Sequence, residues 1–184
     1  MISIDAKEIE KAKSLLKNYP QQVKAAAASA INRTSTMVKT EVSKTIRKNY
    51  LISAKDIKST LSIKRASRSK LTGMISSIGQ APLITAFRVR AYKKGAVRVQ
   101  VMKKNKPKPV LGLFIGSSLK GYVGAMQRKN LSMRYPLRIP HGPSVPQMFS
   151  AESSMSVIAP FAEKTLNQRF LHEVSYRYGK VGGR

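Results

Sequence analysis

The sequence contains no cysteine and no tryptophan, and only two of its 184 residues are histidine. Without cysteine the chain can form neither a disulfide nor a thiolate-ligated metal site. No run of about 18 apolar residues is present, so we expect no membrane-spanning helix. The chain starts with MISIDAKEIE, which is acidic and lacks the basic and then apolar pattern of a cleaved signal peptide.

Acidic residues are also scarce. All eight lie outside residues 57–151, a stretch that holds nineteen lysines and arginines. The formal net charge of +27 would make an isolated monomer repel itself strongly. A polyanion, an acidic partner or a dense assembly usually offsets such an imbalance. The composition therefore predicts that the chain works close to nucleic acid.

The chain offers little that could support catalysis. A catalytic site needs titratable groups that converge, and the middle of the chain has no carboxylate to contribute. His141 lies in a connector beside Gly142, while His172 is adjacent to Glu173 on the last predicted helix. No glycine-rich phosphate loop and no cluster of metal ligands is visible. We expect no enzymatic activity, no cofactor and no metal.

Helical periodicity dominates the first third of the chain. Apolar residues at helical spacing predict a first helix over residues 5–18. Pro20 suits an early helical position, and residues 21–50 contain neither glycine nor proline. We predict there a helix of about 30 residues, roughly 45 Å long. Ser53 and Asp56 predict the capped start of a short helix over residues 54–61.

The period changes to that of strands in the middle of the chain. Alternating apolar and polar residues predict strands over residues 72–78, 83–90, 96–102, 110–115 and 121–128, with a hairpin turn at residues 92–95. A proline-rich connector then leads to a final helix over residues 157–177, in which Pro160 fits only the first turn.

These patterns together predict an α+β fold. It has N-terminal helices, one of them long, a central antiparallel β-sheet, and a C-terminal helix packed on the sheet. The domain division is an N-terminal helical region 1–61, a central basic β region 62–135, a proline-rich connector 136–156, a C-terminal helix 157–178 and a flexible tail 179–184, within one structural domain overall.

Three basic clusters are the candidates for contact with phosphate. No aromatic residues alternate with them at a base-stacking rhythm, and no helix-turn-helix or RNA-recognition signature is present. We therefore expect salt-dependent binding to the backbone, without sequence preference. The two prolines in residues 103–109 predict an exposed loop or extended arm. The candidates are Arg33, Lys44, Arg47 and Lys48; Lys64, Arg65, Arg68 and Lys70; and Lys103, Lys104, Lys106 and Lys108.

A second candidate surface lies in the connector. Ser144 can cap a short turn with Pro146 just inside it, so that Val145, Met148 and Phe149 bury together. This ordered contact is either a brace over the sheet or a contact between subunits. Its candidate residues are Pro143, Ser144, Val145, Pro146, Met148 and Phe149.

Several segments, in order along nearly the whole chain, match the pattern of a known family. They are Ala30-Ile31-Asn32-Arg33-Thr34, residues 46–57 and 62–67, Pro82-Leu83-Ile84 with Phe87, residues 137–149 and residues 169–174. In these segments the chain resembles the minor tail protein Z family of lambdoid and related long-tailed bacteriophages. Residues 103–134 show no pattern that matches.

The resemblance implies a structural virion protein at the head-proximal end of the tail, made in the host cytoplasm. It implies a ring, by analogy a hexamer, that completes the tail, helps to join it to the head and positions the genome end. The implied partners are further copies of the chain, the tail terminator, the tail tube or tape measure, head-completion proteins and the end of the genomic double-stranded DNA, but no membrane. The basic clusters would line the inner side of the ring.

Two other readings stay open at this point. The first is a free, sequence-independent nucleic-acid-binding protein, such as a ribosomal or chromatin-like factor. The second is a basic enzyme that acts on nucleic acid. The long helix and the proline-rich connector favour assembly over a compact free binder, and the scarcity of acids and histidines weighs against the enzyme.

Overall fold

The computed structural model describes residues 20–92, 97–117, 121 and 123–182, together with residues 10 and 14. The helix predicted over residues 5–18 lies outside the described residues apart from those two positions. The turn predicted at residues 92–95 lies outside them apart from Tyr92.

The described residues form long helices at the two ends of the chain and short strands between them. The helices are α1 (Pro20–Asn49), α2 (Ala54–Thr60), α3 (Val145–Ser150) and α4 (Glu152–Gly182), with a 3-10 helix at Ile84–Ala86. The strands are β1 (Leu61–Lys64), β2 (Met74–Ser77), β3 (Arg88–Ala91), β4 (Val97–Gln100), β5 (Lys108–Pro109), β6 (Leu113–Ser117), β7 (Val123–Arg128) and β8 (Leu137–Arg138). No described helix is long and apolar enough to cross a membrane.

The predicted long helix and the capped short helix are both confirmed. Along α1, Val38, Val42 and Ile46 are buried while the basic side chains on the opposite side are exposed. Two of these, Arg47 and Lys48, lie in the last turn, where cations interact favourably with the helix dipole. At α2, the Asp56 N–H donates to Ser53 Oγ at 3.1 Å, and Ser53 Oγ donates to Asp56 Oδ2 at 2.8 Å.

The α+β class and the antiparallel pairing are confirmed, but the strands form three small sheets instead of one. The sheets are β1–β2, β3–β4–β5 and β6–β7–β8. The strand predicted over residues 83–90 begins as the 3-10 helix, and only Arg88–Ala91 pair as β3. The described strands are two to six residues long, and each pairs only within its own sheet.

Residue contacts divide the chain into two compact units, each assembled from segments distant in sequence. Unit 1 is Met1–Val42, Leu61–Ser77 and Ala151–Arg184, and unit 2 is Ser43–Thr60 and Ile78–Ser150. The helix α1 contributes residues to both units.

The core of unit 1 lies between α1 and α4. Ala26, Ala27 and Ala30 on α1 pack against an apolar stripe on α4 made of Leu166, Phe170 and Val174. The small alanine side chains let the larger residues of α4 approach closely, and burying a residue such as Phe170 contributes about 1.5–3 kcal/mol. This stripe of the C-terminal helix therefore packs on α1.

The bounds predicted for the C-terminal helix are also wrong. It starts at Glu152 and continues through Gly182, so residues 179–182 are helical, and Pro160 lies inside it instead of in its first turn. An interior proline removes one backbone hydrogen bond. Here the exposed Pro160 is flanked by the buried Ile158 and Ala162, whose burial offsets that loss.

A buried carboxylate joins α1 to α4 within unit 1. The side chain of Glu173 is 5% exposed; its Oε1 lies 3.0 Å from Arg33 Nε and its Oε2 lies 3.9 Å from Arg177 Nη2. Arg177 in turn donates to Gln22 Oε1 at 3.3 Å and to Ser29 Oγ at 3.1 Å. The polar network therefore reaches two further turns of α1.

We expect Glu173→Ala to lower the free energy of unfolding by about 3 kcal/mol, because it leaves the half-buried Arg177 without its counter-charge. Chemical denaturation followed by circular dichroism measures this loss. The matched control is Glu163→Ala on the exposed side of the same helix, which should change the free energy by less than about 0.5 kcal/mol. Equal effects of the two substitutions would contradict a stabilising role for the network.

Candidate functional site

Arg33 stands apart from the other predicted DNA-facing residues. Its side chain is 59% exposed, but its guanidinium is engaged by the buried Glu173. Much of its charge is therefore neutralised within the protein. Arg33 therefore helps to join α1 to α4 within unit 1. The sequence shows its charge but not this ion pair.

The cluster at residues 64–70 lies on a fixed turn of unit 1. Asn32 on α1 holds the backbone of Ala66: its Nδ2 donates to the Ala66 carbonyl at 3.0 Å, and its Oδ1 accepts the Ala66 N–H at 2.8 Å. The turn then closes between Ser67 and Lys70. Because the backbone is fastened in this way, the basic side chains project outward. All four, Lys64, Arg65, Arg68 and Lys70, are exposed.

The structure brings two of the predicted clusters together in unit 2. The Lys103 N–H donates to the Asn49 carbonyl at 2.9 Å, and the Leu51 N–H donates to the Val101 carbonyl at 2.9 Å. The end of α1 therefore lies beside the turn that follows β4. This places the exposed residues of one cluster, Lys44, Arg47 and Lys48, near those of the other, Lys103, Lys104 and Lys106.

The segment at residues 103–108 is exposed, as predicted, but it is not an extended arm. Its start is hydrogen-bonded to Asn49, and Lys108 at its end lies in β5 and pairs with Val99 of β4. Between these ends, Gln100 Nε2 donates to the carbonyl oxygens of Lys103 at 3.3 Å and Asn105 at 2.7 Å. The hydrogen bonds of Lys103 and Asn105 hold the backbone between β4 and β5 in a turn. We call residues 103–108 the pinned turn.

Sequence reasoning missed a group of arginines on the sheet β3–β4–β5. Arg88, Arg90 and Arg98 are all exposed, whereas Val97 and Val99 on the other face are buried. The alternation of arginine with valine predicts the strands, but it does not by itself predict which arginines lie next to one another in the sheet. The same pattern also indicates that the polar face of these strands carries cations and no acidic residue.

Positive charge is concentrated in unit 2. That unit contains nineteen lysines and arginines and a single acid, Asp56, whereas unit 1 contains sixteen basic and seven acidic residues. Asp56 is engaged with Ser53 at the start of α2. Unit 2 therefore has almost no internal means of balancing its charge.

The connector forms α3, and its predicted cap is present. The Gln147 N–H donates to Ser144 Oγ at 3.4 Å, and the Ser144 N–H donates to Gln147 Oε1 at 2.9 Å. Val145 is 2% exposed and Met148 is fully buried. The outer residues of the segment, Pro143, Ser144, Pro146 and Phe149, are half-buried.

The connector is also fastened to the short motif at residues 82–87. The Gly142 N–H donates to the Pro82 carbonyl at 2.9 Å, and the Ile84 N–H donates to the Pro140 carbonyl at 2.9 Å. The Phe87 ring lies directly against Gly142, where a Cβ would collide with it. These contacts, with the burial of Val145 and Met148, support the internal brace, because those two side chains are not free to meet another subunit.

The described residues contain no group of three or more histidines and acids that could hold a metal ion. His141 and His172 are both exposed. A shallow depression in unit 2 is lined by Thr60, Gln80 and Leu83, among others, with Asp56 as its acid. Asp56 Oδ2 accepts a hydrogen bond from Ser53 Oγ at 2.8 Å.

The family model of prophage minor tail protein Z matches residues 6–178. The chain therefore belongs to that family and is a structural protein of a bacteriophage tail. The match also spans residues 103–134, where no motif resembled the family. No curated protein and no solved structure gives a match.

The contact between Phe87 and Gly142 can be tested directly. We expect Gly142→Ala to lower the free energy of unfolding by about 2 kcal/mol, because overpacking forces the ring or the backbone to shift. Thermal and chemical denaturation measure the loss. In the double variant Phe87→Leu with Gly142→Ala, the smaller side chain should restore part of it.

The control is Gly179→Ala on α4, where an added Cβ meets no atom within 4 Å. It should leave stability unchanged or raise it, since alanine favours a helix over glycine. A Gly142→Ala protein as stable as the parent would show that the brace does not depend on this close approach.

Proposed function

We propose that this member of the minor tail protein Z family completes the head-proximal end of the tail as a ring of identical subunits. The ring helps to join the tail to the head and positions the end of the genome. The observation that carries the proposal is the cationic unit 2, whose exposed clusters around α1 and the turn at residues 103–106 lie side by side. The role is structural, and it includes no catalytic step and no cofactor.

A ring explains why so large a charge is useful. Each subunit contributes the same few lysines and arginines, so closure with cyclic symmetry multiplies them around one axis. Double-stranded DNA on that axis carries about one negative charge per 1.7 Å and would neutralise them. The proposed neighbours are further copies of the chain, the tail terminator, the tail tube or tape measure, and head-completion proteins.

The charge alone also supports a second candidate, a free nucleic-acid-binding protein without sequence preference. Membership of a tail-protein family favours the structural role over this alternative. The two differ in where the protein resides: a tail component stays with purified virions in a fixed copy number, whereas a free binder is lost from them.

Electron microscopy of particles that carry a tagged chain tests the proposed location. We expect label at the junction of tail and head, and quantitative mass spectrometry should give the same copy number in every preparation of virions. Label along the tail shaft or at its distal tip, or absence of the chain from virions, would contradict the proposal.

The pinned turn at residues 103–108 provides a functional test. We expect the combined substitution of Lys103, Lys104, Lys106 and Lys108 by glutamine to give complete tails that join heads but retain or deliver DNA poorly. The physical reason is that affinity falls steeply with the number of phosphates neutralised. Infectivity and DNA retention by purified particles measure the effect.

The matched control replaces four exposed lysines outside the predicted clusters, Lys24, Lys55, Lys58 and Lys164, by glutamine. This variant loses the same charge but should keep infectivity close to that of the parent. Full infectivity of the variant at residues 103–108, or equal losses in both variants, would remove this turn from the proposed DNA contact.

A further inference from the structure

The sheet β3–β4–β5 carries three arginines on one face. In the pairing of β3 with β4, Arg90 lies directly opposite Arg98, and Arg88 lies opposite Gln100. Since side chains alternate between the two faces of a strand, all three arginines project from the same side. Val89, Val97 and Val99 occupy the other side and are half-buried or buried.

This arrangement is unfavourable for the isolated protein. Like charges directly opposite each other destabilise a pair of strands. Among the described residues, none of the three arginines forms an ion pair. Arg88 donates to Gln100 Oε1 at 3.4 Å, and the Arg98 guanidinium lies 4.7 Å from the centre of the Tyr92 ring. Neither contact neutralises charge. The face therefore retains three positive charges on neighbouring positions, since Arg88 lies two residues from Arg90 and Arg90 lies opposite Arg98.

We propose that this face, defined by Arg88, Arg90 and Arg98, binds the phosphate backbone of double-stranded DNA. The inference rests on the proposed function and names a surface of unit 2 that meets the genome end. Guanidinium groups bind phosphate through paired N–H donors. Residues two apart on a strand are separated by about 7 Å, so the three arginines reach separate phosphate groups of one duplex.

The surroundings of the face favour a duplex over a single strand. Single-strand binding uses exposed aromatic rings on which bases stack. Tyr92, the exposed ring at this site, already has the Arg98 guanidinium over it. The face therefore presents donors for phosphate and no free platform for a base.

The arginine face continues into the basic turn already described. Gln100, which shares the face with the arginines, holds the carbonyl oxygens of Lys103 and Asn105. The Lys103 N–H is bonded to the last residue of α1. The Gln100 side chain and this backbone hydrogen bond thus keep the arginine face, the turn and the end of α1 next to one another. A duplex bound to the face therefore also meets the lysines of the turn and of α1.

Salt-dependent binding of a short random-sequence duplex to the full chain tests the proposal. The variant combines Arg88→Gln, Arg90→Gln and Arg98→Gln. Fluorescence anisotropy between about 50 and 200 mM salt should show an affinity reduced about tenfold or more. The slope of log K against log salt should fall by about 2 to 3, since each neutralised phosphate contributes about 0.9. The corresponding triple lysine variant should keep most of the slope because its charge is unchanged.

The matched control removes three exposed arginines of the same unit, through Arg128→Gln, Arg134→Gln and Arg138→Gln. It should lower the slope by less than about 1. Equal reductions in the two triple variants would mean that only net charge matters and would overturn the proposal, as would an unchanged slope in the first. Binding of poly-glutamate with the same affinity and the same dependence on the three arginines would assign the face to an acidic protein and overturn it too.

Stability measurements separate binding from folding. Arg90→Gln alone removes the charge that faces Arg98, so its melting temperature should not fall while its DNA affinity falls about threefold. A lower melting temperature with unchanged DNA affinity would make Arg90 a structural residue.

If the face fails these tests while labelled rings still occupy the tail end, the inference fails and the proposed function stands. If the chain is absent from the tail end, the proposed function fails whatever the face binds in solution.

Discussion

Electrostatic self-repulsion is the constraint on which this structure depends. The chain has 35 basic and only eight acidic residues, and two of the described acids have structural tasks. Glu173 is buried between α1 and α4 with Arg33 and Arg177, and Asp56 caps α2. Placing carboxylates at these points stabilises the fold but leaves most cations without a counter-charge. The remaining excess of positive charge repels itself and destabilises the compact chain.

The motifs shared with the family act mainly through backbone contacts. Asn32 holds Ala66, Gly142 accommodates the Phe87 ring, and the Asn49 carbonyl accepts the Lys103 N–H. None of these groups is a nucleophile or a convergent acid–base pair. Asn32 and Asn49 hold turns that carry exposed lysines and arginines, whereas the contact of Gly142 with Phe87 fixes the uncharged connector. This is the organisation expected of a structural protein, in which function depends on where charge is held and not on a reactive group.

Local signals in the sequence predicted the elements that depend on local forces. The absence of glycine and proline predicted α1, Ser53 with Asp56 predicted the start of α2, and Ser144 predicted the cap of α3. Two predictions failed where packing overrode local preference. Pro160 lies inside α4 because the burial of neighbouring residues offsets one lost hydrogen bond. The single predicted sheet is instead three sheets, because the short strands pair only within β1–β2, β3–β4–β5 and β6–β7–β8.

The sequence by itself determined the sign and size of the net charge, the absence of acidic residues from residues 57–151, and the family. These follow from composition and residue order, which no fold can alter. Only the tertiary structure decided how the charges are grouped. In that structure Arg33 forms an ion pair with Glu173, and the end of α1 is hydrogen-bonded to the turn after β4. Arg90 lies opposite Arg98 in the sheet. Such groupings depend on hydrogen bonds between residues far apart in the chain, and the register of two strands cannot be read from either strand alone.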